Sequence, residues 1–326
     1  MPIISTPGAS STPGLTVQDL LGLNFLRVDV NGFIIKGNGS NISGSPSVAD
    51  YPALLALDAA TYARYVLNVA SGMNNSYFAS NGSAFGPLNG QYIHAHVQTA
   101  STPMIAINNV TVTGIADSGV PRTGGGGNRA RLTFSGAHGL TTTPAVGASL
   151  YNSATVTGFT PGPYKVENIP DTTHVDLDVT YAGGMGTPVF KSAGAVLANS
   201  DIPLLAITTP ALRLNSSLII EYNIDYTADA NAKKLHFAMD TVQLVEHNTA
   251  SANLRVPYRH GWRNIGATNA NESITAGNGS GYAGGTDAVV VTNRETNAGN
   301  VANISVMMAA ANVVAKVSSY DMIIRA

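Results

Sequence analysis

Cysteine is absent from the 326 residues, and charge is scarce: 17 Lys and Arg against 19 Asp and Glu, together 11% of the chain. An average soluble domain carries about 25% charged residues. Without cysteine there are no disulfide staples and no thiolate metal site. A formal charge of −2 leaves no basic field for nucleic acid or for an anionic membrane. No apolar run reaches the roughly 18 residues that a membrane-spanning helix needs. The opening Met1-Pro2-Ile3-Ile4-Ser5 has neither the basic nor the apolar region of a secretion signal. These absences predict a protein made in a cytosol and released without a signal. They also argue against an enzyme, because catalysis needs clustered titratable groups and this chain spreads few of them thinly.

Hydrophobic residues make up 44%, enough for a core. The remainder is rich in Gly, Ala, Ser, Thr and Asn, the residues of turns and close packing. The first 20 residues repeat Ser-Thr-Pro-Gly at Ser5 and Ser11, which excludes a helix and predicts an extended segment: a frayed terminus or a docking arm. Phe25–Val30 and Phe33–Ile35 flank Asn31-Gly32, a strong hairpin signal. A short helix is predicted near 48–60, capped by Ser47 and confined by Pro52. Strands are predicted near 64–69, at 92–98 and over 104–115, with a hairpin across Tyr77–Gly90 between the first two. The run Gly124–Gly127 predicts a flexible joint, and no Lys-Ser/Thr follows it to make a phosphate loop. Short strands and turns then alternate from 129 to 190.

The last third is the most regular. Leu218, Ile220, Tyr222, Ile224 and Tyr226 alternate with Glu221, Asn223 and Asp225, the period of a half-buried antiparallel strand. The sets Leu235/Phe237/Met239, Ile304/Val306/Met308 and Tyr320/Met322/Ile324 repeat it, and Val289-Val290-Val291 fits a more buried strand. Several such strands with no amphipathic helix between them imply a sandwich or jelly roll.

Three segments carry a family resemblance. Tyr77-Phe78-Ala79-Ser80-Asn81-Gly82-Ser83-Ala84-Phe85-Gly86-Pro87-Leu88-Asn89-Gly90, with the lead-in from Tyr51 to Asn68, is similar to a hairpin near the N-terminus of tailed-bacteriophage fibre and appendage proteins, with Phe85 where Trp is common. Arg131–Leu140 (ending Ala137-His138-Gly139-Leu140) and Tyr164–Leu177 (containing Pro170-Asp171-Thr172-Thr173-His174-Val175-Asp176-Leu177) resemble the small β-barrel module named for the first catalytic cysteine half-domain of ubiquitin-activating enzymes. In phage fibres that module is a structural insert without ubiquitin chemistry. Trp262–Asn269 and the strands around it look like the C-terminal jelly-roll knob of phage neck, head and tail fibres, although Asn269-Ala270-Asn271 replaces the usual ending.

The candidate sites are few. His94 and His96 lie two apart on a predicted strand and so share a face. Two imidazoles make a weak metal site; the resemblance implies that a trimer could gather six of them around an iron ion on its axis, and the other reading is two exposed or hydrogen-bonded histidines. His138 and His174 read as turn residues that satisfy backbone groups. Glu221, Asp225, Asp229, Asp240 and Glu246 are expected on the outer face or turns of one hairpin, where a glycosidase would need two carboxylates across a cleft. Arg255, Tyr258, Arg259, Trp262 and Arg263, with His260, form the one basic-aromatic cluster. It is either a surface-recognition patch for a sugar face or partner, or a strand–loop–strand with Trp262 in the core or at a subunit interface. Gly-rich loop 272–287 is a further candidate recognition surface.

The reading is therefore all-β: an extended virion-docking arm over 1–20, a hairpin-rich attachment domain over 21–103, a small β-barrel insert over 104–192 and a C-terminal jelly-roll knob over 193–326. The resemblance implies a non-enzymatic virion protein, a homotrimeric fibre or spike without a cofactor. It would be made in the host cytoplasm and docked on other virion proteins of the portal or neck, capsid or tail. The competing functions are a receptor-binding protein for host surface glycan and a polysaccharide depolymerase.

Overall fold

The period-two patterns fold as strands, and nearly every other regular segment does too. In the computed structural model, residues 16–18, 24–28, 34–36, 41–43, 47–62, 66–69, 76–80, 82–87, 92–98, 101–194, 201–212, 214–227, 231–249, 255–275, 291–296 and 298–325 are described. The N-terminal part comprises β1 (Thr16–Gln18), β2 (Asn24–Val28), β3 (Ile34–Lys36), β4 (Asn41–Ser43), β5 (Ser47–Val48), α1 (Tyr51–Leu55), β6 (Val66–Val69), β7 (Ser76–Ser80), β8 (Phe85–Pro87) and β9 (Tyr92–Val97). The middle comprises β10 (Met104–Ile105), β11 (Val112–Pro121), β12 (Asn128–Phe134), α2 (Thr142–Ala145), β13 (Ser149–Asn152), β14 (Gly162–Asn168) and β15 (His174–Thr180). The C-terminal part comprises β16 (Ile202–Thr208), β17 (Ser217–Tyr226), β18 (Lys233–Met239), β19 (Val242–Thr249), β20 (Arg255–Asn264), β21 (Asn271–Thr275), β22 (Val291–Thr292), β23 (Val301–Met308) and β24 (Val314–Arg325). The chain is all-β. Among the described residues, no helix is long and apolar enough to cross a membrane.

Two sheets face each other across the main core. One has the order β24-β17-β20-β21-β22, with β9 added on β24; the other is β16-β23-β18-β19. The alternation decides which side chains enter. Leu218, Ile220, Tyr222, Ile224 and Tyr226 of β17 meet Leu235, Phe237 and Met239 of β18 and Ala302, Ile304, Val306 and Met308 of β23 in one buried cluster. A second cluster, including Leu132, Phe134, Leu150, Phe159, Val166, Val175, Leu177 and Phe190, fills the middle part. Its strands run β11-β12-β15-β14-β13-β10, and β10 then pairs with the start of β24. The middle part thus has its own core, yet its sheet continues into the sandwich.

The 21–103 region does not keep a core to itself. Leu54, Leu67, Phe78, Phe85 and Ala95 are buried in the same cluster as the sandwich strands. The β7–β8 hairpin falls where the sequence puts it, with Phe78 inward and Tyr77 exposed. Its outer strand is tied to the sandwich by the Ala211 amide, which donates to the Phe85 carbonyl at 2.9 Å. Gly86 permits that approach: a Cβ there would lie 2.8 Å from the Ala211 carbonyl oxygen. β9 pairs along the second half of β24, from Val97 opposite Tyr320 to Tyr92 opposite Arg325.

Three local expectations change. Helix α1 is capped by Asp50 rather than Ser47, because the Asp50 carboxylate accepts the Ala53 amide at 2.9 Å and Ser47 is already in β5. The predicted strand 104–115 is two strands. Asn108 breaks it by donating its side-chain amide to the Ala137 carbonyl, while its own backbone amide bonds His138. The glycine run is a hairpin tip between β11 and β12 rather than a joint between modules. Gly125, Gly126 and Gly127 all have positive φ, and the Arg122 amide closes on the Gly127 carbonyl at 3.0 Å. The Asn31-Gly32 turn, residues 1–15 and Val289-Val290 lie outside the described residues.

Candidate functional site

On β20 parity separates the basic-aromatic cluster. Even positions face the core: Tyr258 is 3% exposed, His260 1% and Trp262 0%. Odd positions face out, with the Arg255 and Arg263 side chains 63% and 60% exposed. Tyr258 and Trp262 are therefore core residues and not surface-recognition residues, because strand alternation sends them to the opposite face from the arginines. Each arginine in turn meets an acid on a neighbouring strand. Arg255 forks onto Asp225, Nε to Oδ1 at 2.6 Å and a terminal nitrogen to Oδ2 at 3.1 Å. Arg259 reaches Glu221 at 3.3 Å, and Arg263 is paired with Glu272. The hydrogen bonds from Arg255 hold the Asp225 carboxyl below its ordinary range. Of loop 272–287, residues 272–275 belong to β21 and the rest lies outside the described residues.

His94 and His96 do share a face, and the carboxylate between them comes from β24. Asp321 Oδ1 lies 3.0 Å from His94 Nε2 and 2.8 Å from His96 Nδ1. Asp321 also sits directly opposite Glu221 in the register. Like charges so placed repel, and Arg259 on one side and the imidazoles on the other offset them. Among the described residues no group of three or more His, Asp or Glu is arranged to hold a metal ion.

His138 is a structural staple of the middle part. Its Nδ1 accepts the Leu140 amide at 3.0 Å, while Nε2 lies 2.9 Å from the Asp171 carbonyl. His174 Nδ1 sits 2.7 Å from Asp171 Oδ2. The Thr173 amide and then His174 hold the Asp171 carboxyl well below its usual range.

The predicted acids do not share one hairpin. Glu221 and Asp225 lie on β17 in the first sheet; Asp240 and Glu246 lie on the β18–β19 hairpin in the second; Asp229 lies outside the described residues. Sequence reasoning missed a further titratable cluster, on the outer face of that second sheet. His236 on β18 has Asp201 Oδ1 3.3 Å from Nδ1 and Glu246 Oε2 3.2 Å from Nε2. Lys234 donates to Glu246 Oε1 at 3.0 Å. Each imidazole nitrogen thus faces a carboxylate, an arrangement that favours the protonated ring. Hydrogen bonding to Asp201, then the nearby negative charges, raises the His236 pKa despite partial burial. Burial pulls Asp201 up, yet hydrogen bonds with His236 and Ser305 outweigh it and the net shift is downward. Lys234, then His236, lowers Glu246. The outward position of His236 between Leu235 and Phe237 was the available signal, and the register that sets Glu246 opposite it was not.

This cluster borders a cleft of about 680 Å³ between the second sheet and the middle part, lined on one side by Tyr151 and on the other by Asp201, His236, Gln243 and Asn303. Asp240 at its end is fully engaged. Its carboxylate accepts the Val301 amide at 2.8 Å and the Asn300 side chain at 2.9 Å, and its carbonyl accepts Asn303 at 2.7 Å.

No protein-family model and no curated protein matches the chain. Among solved structures, one of infectious bursal disease virus, Gx strain, aligns over 79% of this chain and 65% of its own at 11% identity, with a TM-score of 0.19. The Gt strain gives 11% identity over 80% and 70% with a TM-score of 0.16. Fructofuranosidase from Schwanniomyces occidentalis complexed with fructose gives 7% over 79% and 69% with a TM-score of 0.15. The chain spans just under two thirds of the first viral chain, and scores this low carry no argument about function.

Proposed function

We propose that the chain is a non-enzymatic structural protein of a tailed-phage virion, a trimeric fibre or spike that docks by its N-terminal region and displays the sandwich. One observation carries this reading: among the described residues, the clusters around Asp225, Asp321 and Glu246 are engaged within the chain, so they brace sheets rather than await a substrate. The shared core between the 54–95 region and the sandwich supports it, since a displayed knob must move rigidly with its attachment. So does the resemblance of the three segments to phage appendages.

Hydrolysis of a polysaccharide is disfavoured by the acids around His236. A glycosidase needs one carboxylic acid kept protonated by a raised pKa beside a second that is ionised. Asp201 and Glu246 are both shifted downward and flank one imidazole. Two experiments test the reading. Light scattering should return three times the chain mass of 33.6 kDa, and density-banded phage particles should retain the chain in mass spectra. A monomer, a chain missing from the particles, or reducing ends released from host polysaccharide would refute it.

A further inference from the structure

The two ends of the sandwich differ in what they hold and in what they show. Strand β24, twelve residues and about 40 Å long, runs between them. At its first residues β24 carries the middle part through β10, with Met104 opposite Ala315. At its last residues Arg325 lies opposite Ser217, the start of β17. The connection from β16 to β17 is therefore at this second end, and it holds the N-terminal region. Its Ala211 bonds Phe85, and a groove of about 320 Å³ separates Leu55, Leu57 and Phe85 from Pro210, Ala211 and Ala298. Exposed large hydrophobic side chains gather here. Among the described residues, Leu214 is 54% exposed and Ile265 46%, and Leu55 and Tyr77 are exposed in the attached region; the middle part shows three valines, Val120, Val146 and Val189. Exposed apolar groups that gather in one place mark protein contacts. The loops that carry Leu214 and Ile265 are fixed to each other and to the sheet. The Gly266 amide donates to Asn215 Oδ1 at 3.0 Å, and buried Asn264 donates to Thr296 Oγ1 at 2.8 Å. Nearby charges are committed: Arg263 to Glu272, and Asp58 to the Ala60 and Thr61 amides. A partner covering this end meets apolar anchors on loops already ordered, which spares most of the ordering cost of binding.

We propose that this end of the sandwich, anchored by Leu214 and Ile265, seats an apolar surface of another virion protein. The inference rests on the scaffold reading and deepens it: docking is shared by the sandwich's own loops and not confined to the N-terminal region. The position of the end names the occupant. The N-terminal region is attached here, so the seat continues the surface that meets the particle. Copies arranged around an axis along the chain's length turn these ends the same way, so one copy does not cover another's. The middle part, held at the opposite end, then points away from the particle.

The test uses the full chain in phage that carry the altered gene. Leu214→Lys with Ile265→Lys puts charge on the seat, and Val120→Lys with Val189→Lys puts the same charge on the middle part. Quantitative mass spectrometry of density-banded particles reads how much chain each particle keeps, and light scattering and the thermal midpoint check the purified chain. The seat variant should keep the wild-type mass and midpoint, and its copies per particle should fall at least about tenfold. The middle-part variant should be retained as the wild type is. Leu214→Ser removes apolar contact without adding charge, which keeps the test decisive should the lysine variant unfold; it too should lower retention. Wild-type retention of the seat variants, or an equal loss from the middle-part variant, would overturn the proposal. So would a seat variant with a changed mass in solution, which would give the surface to a second copy. Wild-type chain missing from the particles would instead sink the scaffold reading, and this inference with it.

Discussion

His260 makes the sandwich sensitive to mild acid, and the size of the effect follows from its surroundings. The ring packs between Phe237 at 5.2 Å, His247 at 4.7 Å and Tyr222 at 5.7 Å between centroids. Neither of its nitrogens has a hydrogen-bond partner among the described residues. Burial, reinforced by the His247 charge, pushes its pKa down to about 3. In the unfolded chain the same group titrates near 6.5. Below that pH the unfolded state binds a proton that the folded state refuses, so stability falls as pH falls through 6.5 toward the folded value. Between pH 7 and pH 5 this one group removes about 2 kcal/mol, from a limiting slope of about 1.4 kcal/mol per pH unit. That interval lies above the carboxylates Asp171, Asp201, Asp225 and Glu246, whose lowered values cost stability only in stronger acid. His236 works in the opposite sense: its raised pKa adds stability that is full below 6.5 and is lost as pH climbs through the raised value. Urea unfolding of the wild type and of His260→Phe at both pH values isolates the residue, since the other groups are common to the two proteins. The wild type should lose about 2 kcal/mol more than the variant between pH 7 and pH 5. Equal losses would mean that His260 accepts a proton in the folded state, and the account of its burial would be wrong.

Other consequences are simpler to measure. Gly261→Ala places a Cβ 1.9 Å from the Leu218 carbonyl oxygen, so it should cost at least about 3 kcal/mol or prevent folding. Gly114→Ala, whose Cβ would meet only the Thr133 side chain at 3.8 Å, should cost less than about 1 kcal/mol; equal effects would contradict the packing of β17 on β20. Trp262 is the sole Trp, so fluorescence reports it alone: emission should be blue-shifted and shielded from iodide, and Trp262→Ala should cost about 3–5 kcal/mol. Iodide quenching as strong as for free indole would put Trp262 at the surface. Arg259→Ala breaks an exposed pair and should change stability by less than about 1 kcal/mol; a larger loss would show that the outer charge ladder holds the sheet.

Much of this fold was legible because the strand period is two and the sequence keeps it. The alternations in β17, β18 and β23 assign their inward faces before any pairing is known. The same rule, applied to 255–263, separates Tyr258 and Trp262 from Arg255, Arg259 and Arg263. Reading those residues as one patch grouped them by nearness along the chain, whereas a strand sorts them by parity. Partners were not legible. Asp321 reaches His94 and His96 from more than 220 positions away, and Asp201 reaches His236 from the residue before β16, so only sheet order brings them together. Nor could the sequence say that a β-bulge between Phe237 and Ala238 leaves Glu246 opposite His236. The glycine run was misread for a related reason: three successive positive-φ positions build a defined hairpin tip when strands pair on either side.

We propose that the chain is virion scaffolding whose surface meets other molecules without transforming them. A cryo-electron microscopy map of intact phage particles whose genome encodes it would show whether the proposal holds. The account predicts three copies around one axis, with the N-terminal residues against the particle and the sandwich pointing outward. Particles that lack the chain, or that hold it as an isolated single copy, would contradict it.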